Sequence, residues 1–349
     1  MTRPLVHPAR LILVLAALVA TACAPDPGET RVRFMAMGTL VDITVFGAEP
    51  ETAEAAAASA ESLFHRLQAE WDPWGEGALG QLNQDLSSRG RAMAGPDLYA
   101  LLEAAAELSA ETRGRFDPTV GSLVRLWGFS RDEAARQSPP EADEVAEAAA
   151  TVRPLADLLA GPGELRAPPG TRLDLGGFAK GVAVQRATDL LLAEGLENVL
   201  VNAGGDLRAV GRHGDRPWRV GVRQPRGNGV LAVIETAGDE SVFTSGDYER
   251  FFLYEGTRYH HILDPRSGWP ARGLASVTVV HGDAGVADAA ATALFVAGEE
   301  DWPATAAAMG ISLAMVVTDS GVVEMTPGMK ARLRFPPEVS PETRIRKLP

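Results

Sequence analysis

Cysteine is nearly missing from this chain: Cys23 is the only one in 349 residues. No intrachain disulfide can form, so a core must hold the fold. Basic excess is missing as well. Thirty-three lysines and arginines against 46 acids leave a formal charge of -13. That excludes general nucleic-acid binding, because no surplus of cations remains to displace counterions from phosphates. A small anionic ligand would need a local knot of donors or a metal ion. No apolar run is long enough to cross a bilayer: residues 11–20 are uninterrupted, but too short to span one. What remains, at 46% hydrophobic and 23% charged residues, is the composition of an ordinary globular protein with a sizeable core.

The N-terminus is set apart from that core. Arg3 and Arg10 precede the apolar run, small residues follow it, and Cys23 comes directly after "ATA". This is the pattern of a secretory signal over residues 1–22. It could be an ordinary small-residue cleavage site followed by a stray cysteine. The stretch also resembles a bacterial lipobox, which predicts cleavage before Cys23, acylation there and a lipidated tether over 23–32. The mature protein is then expected to be exported and lipid-anchored on the outer face of the cytoplasmic membrane.

Residues 33–47 alternate and end in β-branched and aromatic side chains, predicting a first strand. Residues 49–71 and 96–112 carry apolar positions at helical spacing. Residues 131–160 look helical but are broken at Pro139, Pro140 and Pro154. Short β-type runs follow: "TRLDL", "NVLVNAGGDLRAVG", "WRVGVRQ", "VLAVIET", "SVFTSG", "FFLYEGTRYHHILDP", "LASVTVVHG", "LAMVVTD" and "GVVEMT". Helices intervene at "FAKGVAVQRATDLLLAEG" and "VADAAATALFVAG". Strands that follow one another without helices between them point to antiparallel pairing. The expected class is α+β: largely antiparallel sheets with packed helices, one globular unit over 33–335. Residues 336–349 are proline-broken and read as a loose tail. No repeat of solenoid period occurs.

Several short stretches could carry chemistry. "LDLGGFAKG" places Asp174 and Lys180 on either side of Gly176-Gly177 where a helix starts. A phosphate site needs such parts, but so does a tight strand-to-helix turn with a surface lysine. With 36 glycines, about four Gly-Gly pairs arise by chance, so the doublet alone decides nothing. In "GVADAAATALFVAG", Asp288 and Thr292 lie four apart and share a helix face. They are oxygen ligands suited to a hard cation such as Mg²⁺, or parts of a packing helix with an acid in its first turn. "GTRYHHILDPRSG" contains His260 and His261, which an extended chain sends to opposite faces, so only one can enter a given site. "NAGGDLRAVG" and "VFTSGDYERFF" are glycine-acid turns. In "RFDPTVGSLVRLWGF", Asp117 and Thr119 read as caps of a short helix.

Taken in order, "AMGT", "FDPTVGSLVRLWGF", "LDLGGFAKG", "VNAGGD", "TSGDY", "HHILDPRSG" and "ADAAATALFV" resemble the ApbE family, the FAD:protein FMN transferases. The resemblance covers about residues 33–332. It implies a T-fold-like ApbE unit and a Mg²⁺-dependent enzyme that splits FAD and passes FMN to a threonine or serine of an acceptor protein, releasing AMP. Acceptors would be exported or membrane proteins, such as subunits of redox-driven ion pumps or flavin reductases, with an Asp-Gly-Ala-Thr-like segment. It further implies FAD contacts at Met37, Arg115, Phe116, Asp117, Asp174, Lys180 and Ile262. The metal would be held by the Gly177 carbonyl, Asp288 and Thr292, with Ala291 backbone beside them. His261 is implied as the base. Water in place of the acceptor hydroxyl would make a FAD pyrophosphatase, and a flavin-binding lipoprotein without catalysis is a third reading.

Overall fold

The computed structural model describes residues 28–130 and 136–349. The signal, Cys23 and the first half of the tether lie outside the described residues. The larger sheet runs in the order Glu29–Ala36, Thr39–Phe46, Val199–Ala203, Asp206–Val210, Glu240–Gly246, Leu274–His281, Leu313–Thr318, Val323–Met325, Thr343–Ile345. Every neighbouring pair is antiparallel except the last. The α+β expectation holds.

Period-two alternation divides this sheet between two cores. Phe243, Val277, Val279, Ala314 and Val316 point to one face, where they meet the helices Pro50–Trp71, Ala179–Ala193 and Ala284–Ala308. Val242, Val280, Met315 and Val317 point to the other, where the small sheet of Arg219–Arg223, Val230–Glu235 and Leu333–Arg334 covers them. The helix layer carries the chemistry. Gly181 lies on one helix where a Cβ would stand 2.3 Å from Ala284 O and 2.8 Å from Asp288 Cβ on the other. Only glycine lets these two backbones meet so closely. The helix Ala284–Ala308 is broken at Gly298, whose φ is 74°, where the sequence pattern also stops.

Four expectations are corrected. The predicted first strand is a hairpin that begins at Glu29, four residues early. Met37 and Gly38 form its turn, with φ of 50° and 73°; a methionine there gives no turn signal. "TRLDL" belongs to no strand. Its ladder partner is a side chain: Asn83 accepts from Leu173 N at 2.7 Å and donates to Leu173 O at 2.9 Å. Asn83 sits on a helix, Ala78–Arg89, that the sequence pattern did not reveal. Within residues 131–160 the described helices are short, Ala142–Ala149 and Leu155–Leu158. The C-terminal tail is not loose either. Glu324 is 1% exposed and accepts from Trp302 Nε1 at 3.0 Å and from Arg346 at 2.8 Å. A buried carboxylate needs that cation, so Thr343–Ile345 docks as the ninth strand beside it.

Candidate active site

Two of the quoted stretches are joined through backbone. Asp174 N donates to Pro118 O at 2.7 Å, and Gly121 N donates to Arg172 O at 3.1 Å. "LDLGG" is therefore fixed against "FDPTVG". Asp117 caps the turn as expected, accepting from Thr119 N at 2.9 Å. It also accepts from Ser109 Oγ at 2.5 Å and Leu155 N at 3.2 Å. Phe116 lies beside Gly177, and its ring meets that of Phe178 at 6.2 Å. Phe178 in turn occupies the space above Gly285, where a Cβ would come within 2.9 Å of the ring. Arg115 is tied to Asp301 at 2.8 Å.

The helix Ala179–Ala193 starts with Lys180 facing the Asn202–Asp206 turn. Its ammonium pairs with Asp206, whose other oxygen accepts from Thr244 N at 2.7 Å. Burial works against the charge on Lys180, but Asp206, Asp288 and Glu249 overcome it and hold the pKa above its ordinary value. Asp288 is buried and accepts from Gly181 N at 2.8 Å. Burial pushes its carboxyl up to about 7, against the pull of Lys180 and with help from Asp206. Thr292, one turn on, stands 3.3 Å from Ser245 Oγ and faces Gly177, where a Cβ would approach its hydroxyl to 3.0 Å. Met37 is held at the same end of the sheet. Its N–H donates to Gln68, and the next strand's Thr39 packs on Gly204 of the "NAGGD" turn.

The two histidines part as a strand requires. His260 is 4% exposed. Its Nε2 lies 2.8 Å from Ala271 O, its Nδ1 accepts from Ile262 N at 3.3 Å, and its ring meets Phe295 edge-on. It is a core residue, and so is the buried Ile262. His261 lies on the other side. Its Nδ1 is 3.3 Å from Arg250 O and its ring stands edge-on to Phe129, while its Nε2 meets no hydrogen-bond partner among the described residues. Burial, then the charge of Arg250 and the neighbouring His260, push this imidazole well below its ordinary value near 6.5, and Lys180 adds to the effect. Arg250 also draws on Asp174, whose pKa burial raises. His261, Arg250, Asp174, Lys180, Asp206 and Asp288 thus sense one another.

No group of three His, Cys, Asp or Glu side chains able to hold a metal occurs among the described residues. The donor set is of another kind: one buried carboxylate, one hydroxyl a turn away, and the Gly177 backbone against that hydroxyl. All are hard oxygens, and Asp288 carries a charge that its surroundings compensate incompletely. They fit a small divalent cation.

A family model described as the ApbE family matches residues 37–316. The chain belongs to the ApbE family. It is 39% identical over 330 residues to a FAD:protein FMN transferase of Rhodobacter capsulatus, covering 93% of this chain but only 62% of that protein's length. It is 36% identical over 303 residues to one from Treponema pallidum, covering 78% of this chain and 81% of that one. The crystal structure of the ApbE protein of Thermotoga maritima matches with a TM-score of 0.79 at 34% identity, over 88% of this chain and 99% of that one.

In this ApbE chain the implied residues do not all stand in one kind of place. Asp174, Gly177, Lys180, His261, Asp288 and Thr292 share the cluster, with Phe116 against Gly177. Ala291 is fully buried within its helix. Asp117 holds backbone and side-chain donors of the chain, Ile262 is buried, and Arg115 pairs with Asp301. Three contributors went unassigned in the sequence: Asp206, Arg250 and Asn83. Asp206 sat inside a quoted motif and was legible as an acid beside glycines. Arg250 also lay within a quoted stretch, "VFTSGDYERFF", read there as a glycine-acid turn, while Asn83 had no signal, since its partner Leu173 is remote in sequence.

Proposed function

We propose that this chain is an FAD:protein FMN transferase. The observation that carries the reading is the convergence of Lys180–Asp206, Asp288, Thr292 against Gly177, and His261, in a family whose compared members bear that name. The reaction consumes FAD and an acceptor threonine or serine. The hydroxyl oxygen bonds to the FMN phosphorus, the bridging P–O bond breaks, and its electron pair leaves with AMP. His261, neutral at pH 7 and with Nε2 free, takes the hydroxyl proton. Lys180, held charged by Asp206, sets a cation beside the diphosphate. Gly176-Gly177 admits the nucleotide to the backbone, and the Phe116 ring, with Met37 in its turn, bounds the pocket. Asp288, Thr292 and the Gly177 carbonyl, with Ala291 backbone alongside, would hold Mg²⁺, which when bound draws charge from the diphosphate oxygens. We read Cys23 as the acylated residue of an exported lipoprotein, on the strength of the signal pattern before it.

The test is incubation of the mature chain with FAD, Mg²⁺ and an exported acceptor domain bearing an Asp-Gly-Ala-Thr segment. The expected products are acid-stable covalent flavin on the acceptor and an equal amount of AMP. Free FMN and AMP without covalent flavin would make the protein a pyrophosphatase. Recovery of intact FAD alone would make it a carrier.

A further inference from the structure

The strands Phe251–Tyr254 and Thr257–His260 form a hairpin in which Phe251 stands opposite His260. The ladder continues one step further, where His261 N donates to Arg250 O at 3.1 Å, so Arg250 stands opposite His261. Residues opposite one another in an antiparallel pair send their side chains to the same face, about 5 Å apart at Cβ. Arg250 therefore shares the face of His261, away from Phe251, Arg258 and His260. The Arg250 carbonyl also lies 3.3 Å from His261 Nδ1. A proton on Nδ1 directed at it leaves Nε2 as the bare acceptor.

The Arg250 side chain is exposed and held at one point, where Nη1 donates to Phe129 O at 3.1 Å. The Phe129 ring in turn meets His261 edge-on and stacks on Phe252 at 6.1 Å. Among the described residues no carboxylate lies within ion-pair distance of Arg250, whereas Lys180, the other cation of the cluster, is bound to Asp206. A guanidinium offers its N–H donors in a planar fork, and most of those on Arg250 remain for a ligand. Its charge reaches the Asp174 carboxyl as well as the imidazole, so it stands over the same pocket.

We propose that Arg250 is a further catalytic residue of the transferase: its guanidinium takes the phosphoryl oxygens of the FMN half as that group passes to the acceptor. This rests on the transferase reading. The acceptor hydroxyl has to lie within about 3 Å of both His261 Nε2 and the phosphorus it attacks. The phosphorus then stands within about 6 Å of the imidazole, on the face that Arg250 shares. A planar fork of donors matches the phosphoryl oxygens, and donors fixed where charge gathers in the transition state act on kcat. The arginine gives up no proton. That of the hydroxyl passes to His261, and the bridging oxygen leaves on AMP with the electron pair.

The test measures transfer to the acceptor domain named above at pH 8, where His261 is neutral with or without the arginine, and follows FAD affinity by flavin fluorescence. Arg250→Gln should lower kcat on the order of 10²–10³-fold while FAD affinity and acceptor KM stay close to those of the unsubstituted chain. Arg250→Lys, which keeps a cation, should lose less. Guanidinium ion below denaturing concentration should restore part of the kcat of Arg250→Ala, as a merely structural arginine would not allow. Arg258→Gln, on the opposite face of the same hairpin, should leave kcat unchanged. An unchanged kcat in Arg250→Gln, or a loss confined to acceptor KM or FAD affinity, overturns the proposal. So does a kcat loss that neither Arg250→Lys nor guanidinium softens, or one that Arg258→Gln equals. In each of these cases the transferase reading stands. Absence of transfer by the unsubstituted chain overturns both, and is seen before any variant is made.

Discussion

Gly181→Ala tests whether the packing of two helices sets the geometry of the site. The added methyl would stand 2.3 Å from Ala284 O, 2.8 Å from its carbonyl carbon and 2.8 Å from Asp288 Cβ. The first two atoms are backbone, so no rotamer change relieves the clash. Restoring ordinary contact requires the helices Ala179–Ala193 and Ala284–Ala308 to part by about 1 Å. Overpacking of this kind costs about 1–3 kcal/mol. The same shift stretches the Gly181 N to Asp288 bond, now 2.8 Å, beyond hydrogen-bond range and displaces Asp288 from Lys180. A misplacement of about 1 Å can cost on the order of 10² in rate. Urea denaturation and steady-state flavin transfer should therefore fall together. Gly177→Ala is the contrast: the three atoms nearest its methyl belong to the Thr292 and Phe116 side chains, the closest at 3.0 Å. Thr292 can turn away, so stability should stay within about 0.5 kcal/mol while transfer drops. If Gly181→Ala keeps both stability and full transfer, or if the two variants lose stability equally, the helix contact does not position the site.

The remaining outcomes follow from single contacts. Because His261 works as a neutral base and its pKa lies well below 6.5, transfer at saturating Mg²⁺ should stay level from neutral pH down through 6.5 and fall only below it; a midpoint at or above 6.5 that more Mg²⁺ does not shift would refute the assignment. His261→Ala should lose about 10²–10⁴-fold in transfer while still binding FAD. Asp206→Asn removes the partner of Lys180 and a charge that holds Asp288 up, so an NMR titration should find the Asp288 carboxyl below its present value of about 7 and fluorescence should show weaker FAD binding. Cys23→Ser should move the protein from membrane to soluble fraction, and equal retention would end the lipoprotein reading. Arg346→Ala leaves the buried Glu324 without its nearest cation and should cost about 3 kcal/mol by denaturation, with Glu324→Gln in the same background recovering part of it.

What could be read from the sequence was whatever is periodic or local. The Asp288–Thr292 spacing placed both groups on one face because a helix repeats every 3.6 residues. The opposition of His260 and His261 followed from strand alternation. Antiparallel order followed from strands without helices between them. What could not be read depends on partners remote in sequence. Asn83 replaces a strand opposite Leu173, and nothing near either residue announces it. The tail opens on Pro336 and Pro337, a pattern that suggests looseness, yet the buried Glu324 ahead of it decides otherwise. The helix Ala78–Arg89 shows a milder limit: Leu79, Leu82 and Leu86 have helical spacing and are buried, but the surrounding glycines and serines obscured it.

The acidity of the chain and the handling of an acidic nucleotide are two sides of one arrangement. Lys180 lies among Asp206, Asp288 and Glu249, so the cluster holds more negative than positive charge. Placing such an excess away from water is costly unless a proton or a cation balances it. Asp288 answers with a carboxyl near 7, which accepts a proton far more readily than an exposed aspartate does. A proton and a divalent cation compete for the same oxygens, so cation affinity should weaken as pH falls through that value. Lys180 escapes the opposite fate of buried lysines, because its acidic neighbours keep it charged. An anionic ligand thus meets a fixed ammonium and a pair of helices held at contact by Gly181, on a surface that elsewhere repels it.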